Sequence, residues 1–449
     1  MLMSNQNLLK NPLAAQLYEN CAKELPIIDY HNHLSVQDVI SDRRFENITR
    51  LWIATDPYKH RAMRILGIPE RFITGAASDF EKFEKWYGCI PRLAGTPLYD
   101  WSVMEYQQLF GITLPPFRIT AEELWRQTNG KLQQLTAKKI LEKFNVEYCA
   151  PCASVCDDLA PFAQLAFVSP SLRADDVVAP DAAFLERLKT AASSAVETLG
   201  AYFAAVEKRI VLFKEAGCRF SDHALDDGFR YIPDDGENEA RFLTLVQGKP
   251  LAEADRVALS SRILRDLGRL YAKHGLAMQL HIGAKRATST RLRRIAGPAG
   301  GYAAIGRCVD VSSLTALLDD IESAGVLPKT ILFTLNPADN AVMSVLSGSY
   351  SREGMEAVVS QGPAWWWCDH GQGMREMLDH MSVYGVLSTF IGMTTDSRSL
   401  LSFVRHDYFR RILCQWIAEK VEQGFLPDDM TILSGLIYRM CYENAKKNI

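Results

Sequence analysis

The sequence lacks a long apolar run, an excess of either charge, and any internal repeat or low-complexity segment. No stretch of its 449 residues approaches the roughly 18 apolar residues that a membrane-spanning helix requires. Lysine and arginine (50) nearly balance aspartate and glutamate (53), which leaves a net charge of −3. Proteins that bind nucleic acid or a membrane surface favour a basic patch or tail, so we expect neither kind of partner.

The amino-terminal residues lack the charged start and the apolar stretch of a secretory signal peptide. A cytoplasmic protein is therefore expected. Hydrophobic residues make up 48% of the chain, which is enough for a large core. The length fits either about three domains of ~150 residues or one α/β barrel, since such barrels run longer as single units.

Ten cysteines are scattered along the chain. A protein of this size does not need disulfides to stabilise its core, so most of them are expected to be small buried hydrophobic side chains. One cluster, Cys149, Cys152 and Cys156, has a spacing at which three thiolates can hold a metal ion. No fourth ligand is evident nearby, so ordinary strand-end and loop positions are the favoured interpretation.

Short apolar runs, each followed by polar residues and a longer helical pattern, recur along the chain. This alternation is typical of a parallel sheet with crossover helices. Eight such runs can be marked, which fits an α/β fold built as a (β/α)₈ barrel. They lie at residues 26–31, 146–149, 165–168, 218–220, 277–281, 330–334, 357–359 and 389–394.

More than one hundred residues separate the first two runs. Helical patterns occupy 79–87, where Ser78 and Glu81 suit a capping box, and 120–134, where Thr120 suits an N-cap. We interpret residues 34–137 as a mostly helical insertion that caps the mouth of the barrel, where such folds build their active sites. Residues 1–33 then form an N-terminal helix and the first strand. Residues 138–449 form the rest of the barrel and two closing helices.

Two histidines end the first apolar run. On a strand, His31 and His33 share one face, which suits two imidazoles that bind one divalent metal ion; two polar residues at the start of a loop are the alternative. Asp396 follows the eighth run, and the first and eighth strands are neighbours in a closed barrel. Two histidines and a carboxylate with open positions suit a catalytic zinc or a similar ion, although Asp396 taken alone also fits a helix N-cap.

Further polar candidates follow other predicted strands. His281 ends the fifth run, where it either ligates the metal ion or forms a hydrogen bond with a substrate. Arg173, Arg286 and Arg398 lie at strand ends, and arginine side chains bind carboxylates in a bidentate manner. Three of them at one barrel mouth indicate a carboxylated substrate, with surface salt bridges as the alternative for each one.

These residues lie in motifs that resemble the uronate isomerases of the amidohydrolase superfamily. The resemblance spans nearly the whole chain, and motifs in this order are highly specific to that family. The motifs include Asp29-Tyr30-His31-Asn32-His33, Tyr58-Lys59, Ser221-Asp222-His223, Gln279-Leu280-His281-Ile282, Trp365-Trp366, Thr395-Asp396-Ser397-Arg398 and Arg405-His406-Asp407-Tyr408.

The resemblance implies a distorted (β/α)₈ TIM barrel of the metal-dependent hydrolase type. It also implies an isomerase that converts D-glucuronate to D-fructuronate and D-galacturonate to D-tagaturonate. A divalent metal ion, expected to be Zn²⁺, would be held by His31, His33 and Asp396. The substrate pocket would be lined by Tyr58, Arg173, Asp222, His281, Arg286, Trp366 and Arg398. A small uronate is the expected partner, and a homo-oligomer is the expected assembly.

Isomerisation between an aldose and a ketose moves a proton between C2 and C1. Asp396 is the predicted proton-handling carboxylate, and Tyr58 or His60 is predicted to exchange a proton with O1 or O2.

Three positions depart from the family pattern. Pro57 and Asp100 stand where the family usually or often has His, and His60 stands where it has Trp. Pro57 offers neither a proton-transfer group nor a backbone N–H. Pro57 and Asp100 therefore keep a non-catalytic protein that binds sugar acids as one alternative. A metal-dependent hydrolase on the same barrel, in which the metal ion would activate water, is the other alternative.

Overall fold

Seven parallel strands form a curled sheet in the computed structural model, which describes residues 8–115 and 118–449. Neighbouring strands follow one another in chain order. Several of them are buried along their whole length, as expected for a parallel sheet that is covered on both faces. The strands are β1 (Ile27–Asn32), β2 (Val146–Ser154), β3 (Ser171–Arg173), β4 (Phe220–Leu225), β5 (Ala277–Ile282), β6 (Thr330–Thr334) and β7 (Val359–Gln361).

Helices precede β1 and fill the long connection from β1 to β2. They are α1 (Pro12–Leu17), α2 (Val36–Ile40), α3 (Ile48–Trp52), α4 (Pro57–Ile65), α5 (Asp79–Cys89), α6 (Pro97–Phe110), α7 (Ala121–Leu132) and α8 (Ala137–Lys143). The predicted capping box at Ser78 is confirmed at the start of α5, and the predicted N-cap at Thr120 is confirmed at the start of α7.

The later helices connect the remaining strands and close the chain. They are α9 (Asp175–Val178), α10 (Ala182–Ala192), α11 (Leu199–Glu215), α12 (Asn238–Val246), α13 (Glu253–His274), α14 (Thr290–Ala296), α15 (Val311–Ser323), α16 (Asn340–Ser349), α17 (Gly371–Tyr384), α18 (Val404–Glu422), α19 (Met430–Tyr438) and α20 (Asn444–Lys446). The two predicted closing helices correspond to α18 and α19. None of the helices in the described ranges combines the length and apolar character needed to cross a bilayer.

Short irregular helices and one small antiparallel pair complete the fold. The pair joins Ala284–Lys285 to Ala304–Ile305. Two π-helical turns cover Tyr18–Ala22 and Arg439–Glu443. The 3₁₀ turns cover Glu70–Phe72, Ile90–Leu93, Ala160–Gln164, Pro337–Asp339, Trp366–Cys368, Leu387–Thr389 and Leu400–Phe403.

The third strand lies further along the chain than the sequence pattern predicted. Residues 165–168 are apolar, but they follow a 3₁₀ turn, and only Val168 makes an isolated bridge, to Cys149. Leu165 and Val168 pack into the core from a turn, which explains their apolar character. The paired strand is β3 instead.

The barrel closes against β1 without an eighth paired strand among the described residues. Gly392, inside the predicted run 389–394, has φ of +107°, which takes its backbone out of the extended conformation. The Tyr30 hydroxyl donates to the Gly392 carbonyl at 2.9 Å. Further along, the Asp396 N–H donates to the His31 carbonyl at 3.1 Å, which holds the segment after Gly392 beside β1.

Asp29 anchors this closure from inside β1. Its fully buried carboxylate accepts hydrogen bonds from the hydroxyls of Thr394 and Thr395 and from the Thr395 N–H, each at 2.7 Å. His406 Nε2 of α18 lies 3.4 Å from the same carboxylate. One side chain therefore binds the first strand to the segment that closes the barrel.

We predict that Asp29→Ala lowers the free energy of unfolding by at least about 2 kcal/mol, because the N–H and the hydroxyl of Thr395 lose their buried acceptor at about 1–3 kcal/mol each. The Thr394 hydroxyl can still donate to the His31 carbonyl. Denaturant titration measures the change. Asp429→Ala, which removes an exposed N-cap of α19, serves as the control and should cost about 1 kcal/mol. Equal losses in the two variants would contradict the anchoring role.

Candidate active site

Two imidazoles and one carboxylate meet where the barrel closes. His31 Nε2 lies 3.3 Å and His33 Nε2 lies 3.0 Å from Asp396 Oδ1. The two histidines share a face because they are two residues apart at the end of β1. Asp396 has φ of +44°, a left-handed conformation that is uncommon for residues other than glycine and clusters at functional sites.

The second carboxylate oxygen of Asp396 is held by two indoles. Trp365 Nε1 donates to Asp396 Oδ2 at 2.6 Å and Trp366 Nε1 donates to it at 2.5 Å. Trp366 also has a left-handed backbone, with φ of +46°. The orientation of the carboxylate is therefore fixed from both sides.

The electrostatics of this group favour ionised side chains. Burial would lower the pKa of His31, but Cys152, Asp222 and Asp396 face it and raise that pKa well above its ordinary value. Burial would raise the pKa of Asp396, but His31 and His33 hold it well below its usual range. The site is thus built for a carboxylate that stays ionised beside positive charge.

The donor set fits a divalent metal ion. Two donors bound at about 2.0–2.2 Å to a tetrahedral ion lie roughly 3.3 Å apart, close to the separations between Asp396 Oδ1 and the two imidazoles. Two histidines and a carboxylate also form the ligand type of catalytic zinc sites with open positions. His31, His33 and Asp396 are the residues that would hold the ion.

A second layer of polar side chains lies beside His31. His281 Nδ1 is 2.7 Å from Asp222 Oδ1, and the His281 and His31 rings have centroids 4.4 Å apart. His31, Asp222 and His281 also have donor atoms within 4.8 Å of one another. Both roles predicted for His281, as a metal ligand or as a substrate contact, are compatible with this position.

Cys152 also lies beside His31, whereas its sequence spacing had grouped it with Cys149 and Cys156. Its Sγ lies 3.6 Å from His31 Nδ1 and 3.7 Å from Asp222 Oδ2. Burial would raise the pKa of Cys152, but His31 and His33 lower it. Groups with metal-ligand spacing in the described part of the chain combine Cys152 with these histidines and not with Cys149 or Cys156.

A cavity of about 660 Å³ opens above this group. Asp396 and His33 line it, whereas His31, Asp222 and His281 are buried below. The lining residues named by the sequence are His33, Tyr58, Arg173, Arg286, Trp366, Asp396 and Arg398.

The three predicted arginines differ in their partners. Arg173 Nη2 lies 2.9 Å from Asp175, and Arg286 Nε donates to Asp226 at 2.8 Å. Arg398 is exposed at the cavity and makes no ion pair with any residue that the structure describes. It is therefore the arginine with the most bonding capacity left for a ligand.

One wall of the cavity forms where α4 meets the loop that follows α14. Arg61 Nη1 donates to the carbonyls of Gly301 at 3.2 Å and Ala303 at 3.3 Å, and Arg64 donates to that of Gly300. A Cβ at Gly301 would lie only 2.3 Å from the Pro57 carbonyl oxygen. The loop and the helix therefore approach as closely as glycine allows.

Of the three departures from the family pattern, Pro57 lines the cavity, whereas His60 and Asp100 do not. Pro57 lines the cavity and occupies the first turn of α4, where its fixed φ suits a helix. His60 does not line the cavity; burial lowers its pKa, and its Nε2 has no partner among the described residues. Burial raises the pKa of Asp100 to about 6.

Comparison with known proteins identifies the family of the chain. The family model described as glucuronate isomerase matches residues 1–449. A uronate isomerase of Salmonella paratyphi B is 38% identical over 99% of this chain and 98% of its own length. The crystal structure of a uronate isomerase from Thermotoga maritima superposes with a TM-score of 0.92 at 27% identity, over 100% of this chain and 99% of that one.

A more distant structure shares the fold. A Lactobacillus casei protein assigned as a metal-dependent hydrolase superposes with a TM-score of 0.54 at 12% identity, over 95% of this chain and 96% of that one. At this identity the likeness concerns the fold alone, and it agrees with the expected barrel of the metal-dependent hydrolase type. Because the family model and the 38% identical relative both match essentially the full length, the chain belongs to the glucuronate (uronate) isomerase family.

Proposed function

We propose that the protein interconverts D-glucuronate with D-fructuronate and D-galacturonate with D-tagaturonate. The observation that carries this proposal is the contact of His31, His33 and Asp396 at the base of a cavity that also exposes Arg398. The volume of about 660 Å³ lies within the range of small-molecule sites. Full-length membership of the family leaves the hydrolase and non-catalytic alternatives without a specific observation in their favour.

The reaction transfers one proton between carbons and one between oxygens. The C2 proton leaves as an enediolate forms and is returned to C1, while the O2 proton is lost and O1 gains one. Asp396 is the proposed carrier of the carbon-bound proton, because it is ionised, oriented by two indoles and exposed to the cavity.

Tyr58 is the proposed partner for the substrate oxygens. It lines the cavity with Asp396, and burial raises the pKa of its phenol, so the hydroxyl stays protonated and can donate. His60, the other predicted candidate, is not included because it does not line the cavity.

A divalent ion, Zn²⁺ in our proposal, would be held by His31, His33 and Asp396 and would supply positive charge next to the substrate oxygens. His281 and Asp222 would support the same region from below. Arg398 would bind the substrate carboxylate, and Arg173, Arg286 and Trp366 would line the remaining wall.

The helical segment 34–137 is proposed to act as the cap of the barrel mouth, since Pro57 and Tyr58 line the cavity. Assembly as a homo-oligomer is also proposed, and exposed apolar side chains such as Val383, Val386 and Phe425 are available for contacts between copies. We also propose a cytoplasmic location.

We predict that Asp396→Asn lowers kcat for D-glucuronate by about 10²–10⁴-fold, the usual contribution of a positioned proton-transfer group. Proton NMR in heavy water follows both product formation and solvent exchange at the substrate carbons. Circular dichroism should show an unchanged fold. Near-normal turnover by a folded Asp396→Asn protein would overturn the assignment.

Removal of bound metal with a chelator should abolish turnover and lower Tm, because an ion that binds only the folded state stabilises it. Added Zn²⁺ should restore both properties in the parent protein but not in His33→Ala. Mass spectrometry checks the metal content. Full activity of the chelated protein with no detectable metal would rule out a metal-assisted reaction.

Arg398→Met should weaken D-glucuronate binding about 10- to 100-fold, since a hydrogen bond to a charged group contributes about 1.5–3 kcal/mol. Calorimetry with D-glucuronate and with the neutral sugar D-glucose measures the difference. Arg307→Met is the control, because Arg307 is exposed, pairs with Asp227 and does not line the cavity. Equal losses for both ligands would argue against a carboxylate contact.

A further inference from the structure

Arg405, near the start of α18, is a buried cation close to the proposed reacting groups. Its side chain is among the largest that are almost completely buried, with 1% exposure. Its Nη1 donates to the Thr395 carbonyl at 3.1 Å and to Asp369 Oδ2 at 3.3 Å. Thr395 immediately precedes Asp396, so one of these hydrogen bonds holds the backbone that presents the proposed proton carrier.

The same guanidinium contacts two aromatic rings of the helical segment. Arg405 Cζ lies 4.1 Å from the Trp101 ring centroid and 4.7 Å from the Tyr58 ring centroid. Both distances are within the roughly 6 Å range of cation–π attraction. The Tyr58 and Trp101 rings also meet edge to face, with centroids 6.1 Å apart.

These contacts join four segments that are remote in sequence. Tyr58 is on α4, Trp101 is on α6, Asp369 follows the turn that carries Trp366, and Thr395 lies in the closing segment. Tyr58, Trp366 and Asp396 of these segments line the cavity, and Trp101 packs against Tyr58. Arg405 is the side chain that contacts all four.

Burial of this ion pair is energetically expensive. Removing a cation and a carboxylate from water costs several kcal/mol per ion, and packed apolar side chains would often stabilise a fold as well or better. Asp369 Oδ1 has no hydrogen-bond partner among the described residues, and burial raises the pKa of Asp369 to about 7 against the opposing charge of Arg405. Stability alone therefore explains the pair poorly.

We propose that Arg405 is a positioning residue that holds Tyr58 and the Asp396 segment in fixed relative placement for the isomerisation. This inference rests on the proposed function. Displacement of a reacting group by about 1 Å can cost roughly 10²-fold in rate, and Arg405 contacts the supports of both groups at once. Its charge over the Tyr58 ring also opposes the rise in the phenol pKa that burial causes.

Replacement of Arg405 tests the proposal against a matched control on the same helix. Arg410 is also buried, with 4% exposure, and donates to the backbone carbonyls of Lys23 and Pro26, away from the cavity. Arg405→Met should lower kcat about 100-fold with KM changed less than about threefold. Arg410→Met should keep kcat near the parent value at a temperature where both variants are folded.

A double-variant cycle separates positioning from a general loss of packing. If Arg405 acts through Tyr58, the loss of kcat in Tyr58→Phe with Arg405→Met should be clearly smaller than the product of the two single losses. Independent, multiplicative losses would overturn the proposal, as would a kcat for Arg405→Met within a factor of about three of the Arg410→Met value.

Arg405→Lys keeps the test decisive if Arg405→Met does not fold. A lysine retains the positive charge near Tyr58 but lacks the planar guanidinium that lies over the Tyr58 and Trp101 rings. We expect a kcat about 10-fold below the parent and the same coupling to Tyr58→Phe. Parent-like kcat in Arg405→Lys would overturn the positioning role, whereas a parent protein with no uronate isomerase activity would instead overturn the proposed function.

Discussion

The hydrogen bonds between β1 and the segment after Gly392 are the interaction on which the site depends. They set His31 and His33 beside Asp396 although more than 360 residues separate them in the chain. Asp29 supports this junction from within the strand, with three short hydrogen bonds to Thr394 and Thr395. The contact that closes the barrel therefore also sets the geometry of the three proposed metal ligands.

Three buried carboxylates lie around that junction, and each contacts nitrogen-bearing side chains. Asp396 receives two imidazoles on one oxygen and two indoles on the other. Asp222 and His281 form a neighbouring pair below His31, and Asp369 with Arg405 forms another pair behind the closing segment. Buried carboxylates need partners, and each of these three carboxylates has a nitrogen-bearing side chain beside it.

Much of the fold and of the candidate site could be predicted from local sequence. The i and i+2 spacing of His31 and His33 gave their common face, and adjacency of the first and last barrel runs gave their contact with Asp396. The third strand was misplaced because apolar residues such as Leu165 pack into the core from a turn. The eighth run did not form a paired strand because Gly392 leaves the extended conformation.

The contacts that the sequence did not predict share one property. Cys152, Asp369 and Arg405 have local surroundings that resemble ordinary strand, turn and helix positions. Several of their partners are remote in sequence, such as His31 for Cys152 and Tyr58 for Arg405. Spacing rules describe one element at a time, so they do not detect such partners. The motif that contains Arg405 was recognised as typical of the family, but no spacing rule assigned this side chain a contact with Tyr58.

The tight approach of Gly301 to Pro57 has a consequence for evolutionary change in this chain. A methyl group at residue 301 would collide with the Pro57 carbonyl, and the positive φ of Gly301 adds a second barrier to any larger residue. Because the obstacle is a backbone atom, which any residue at 57 carries, no substitution there makes room for a side chain at 301. Relatives of this chain are therefore expected to keep glycine at 301 even where residue 57 differs.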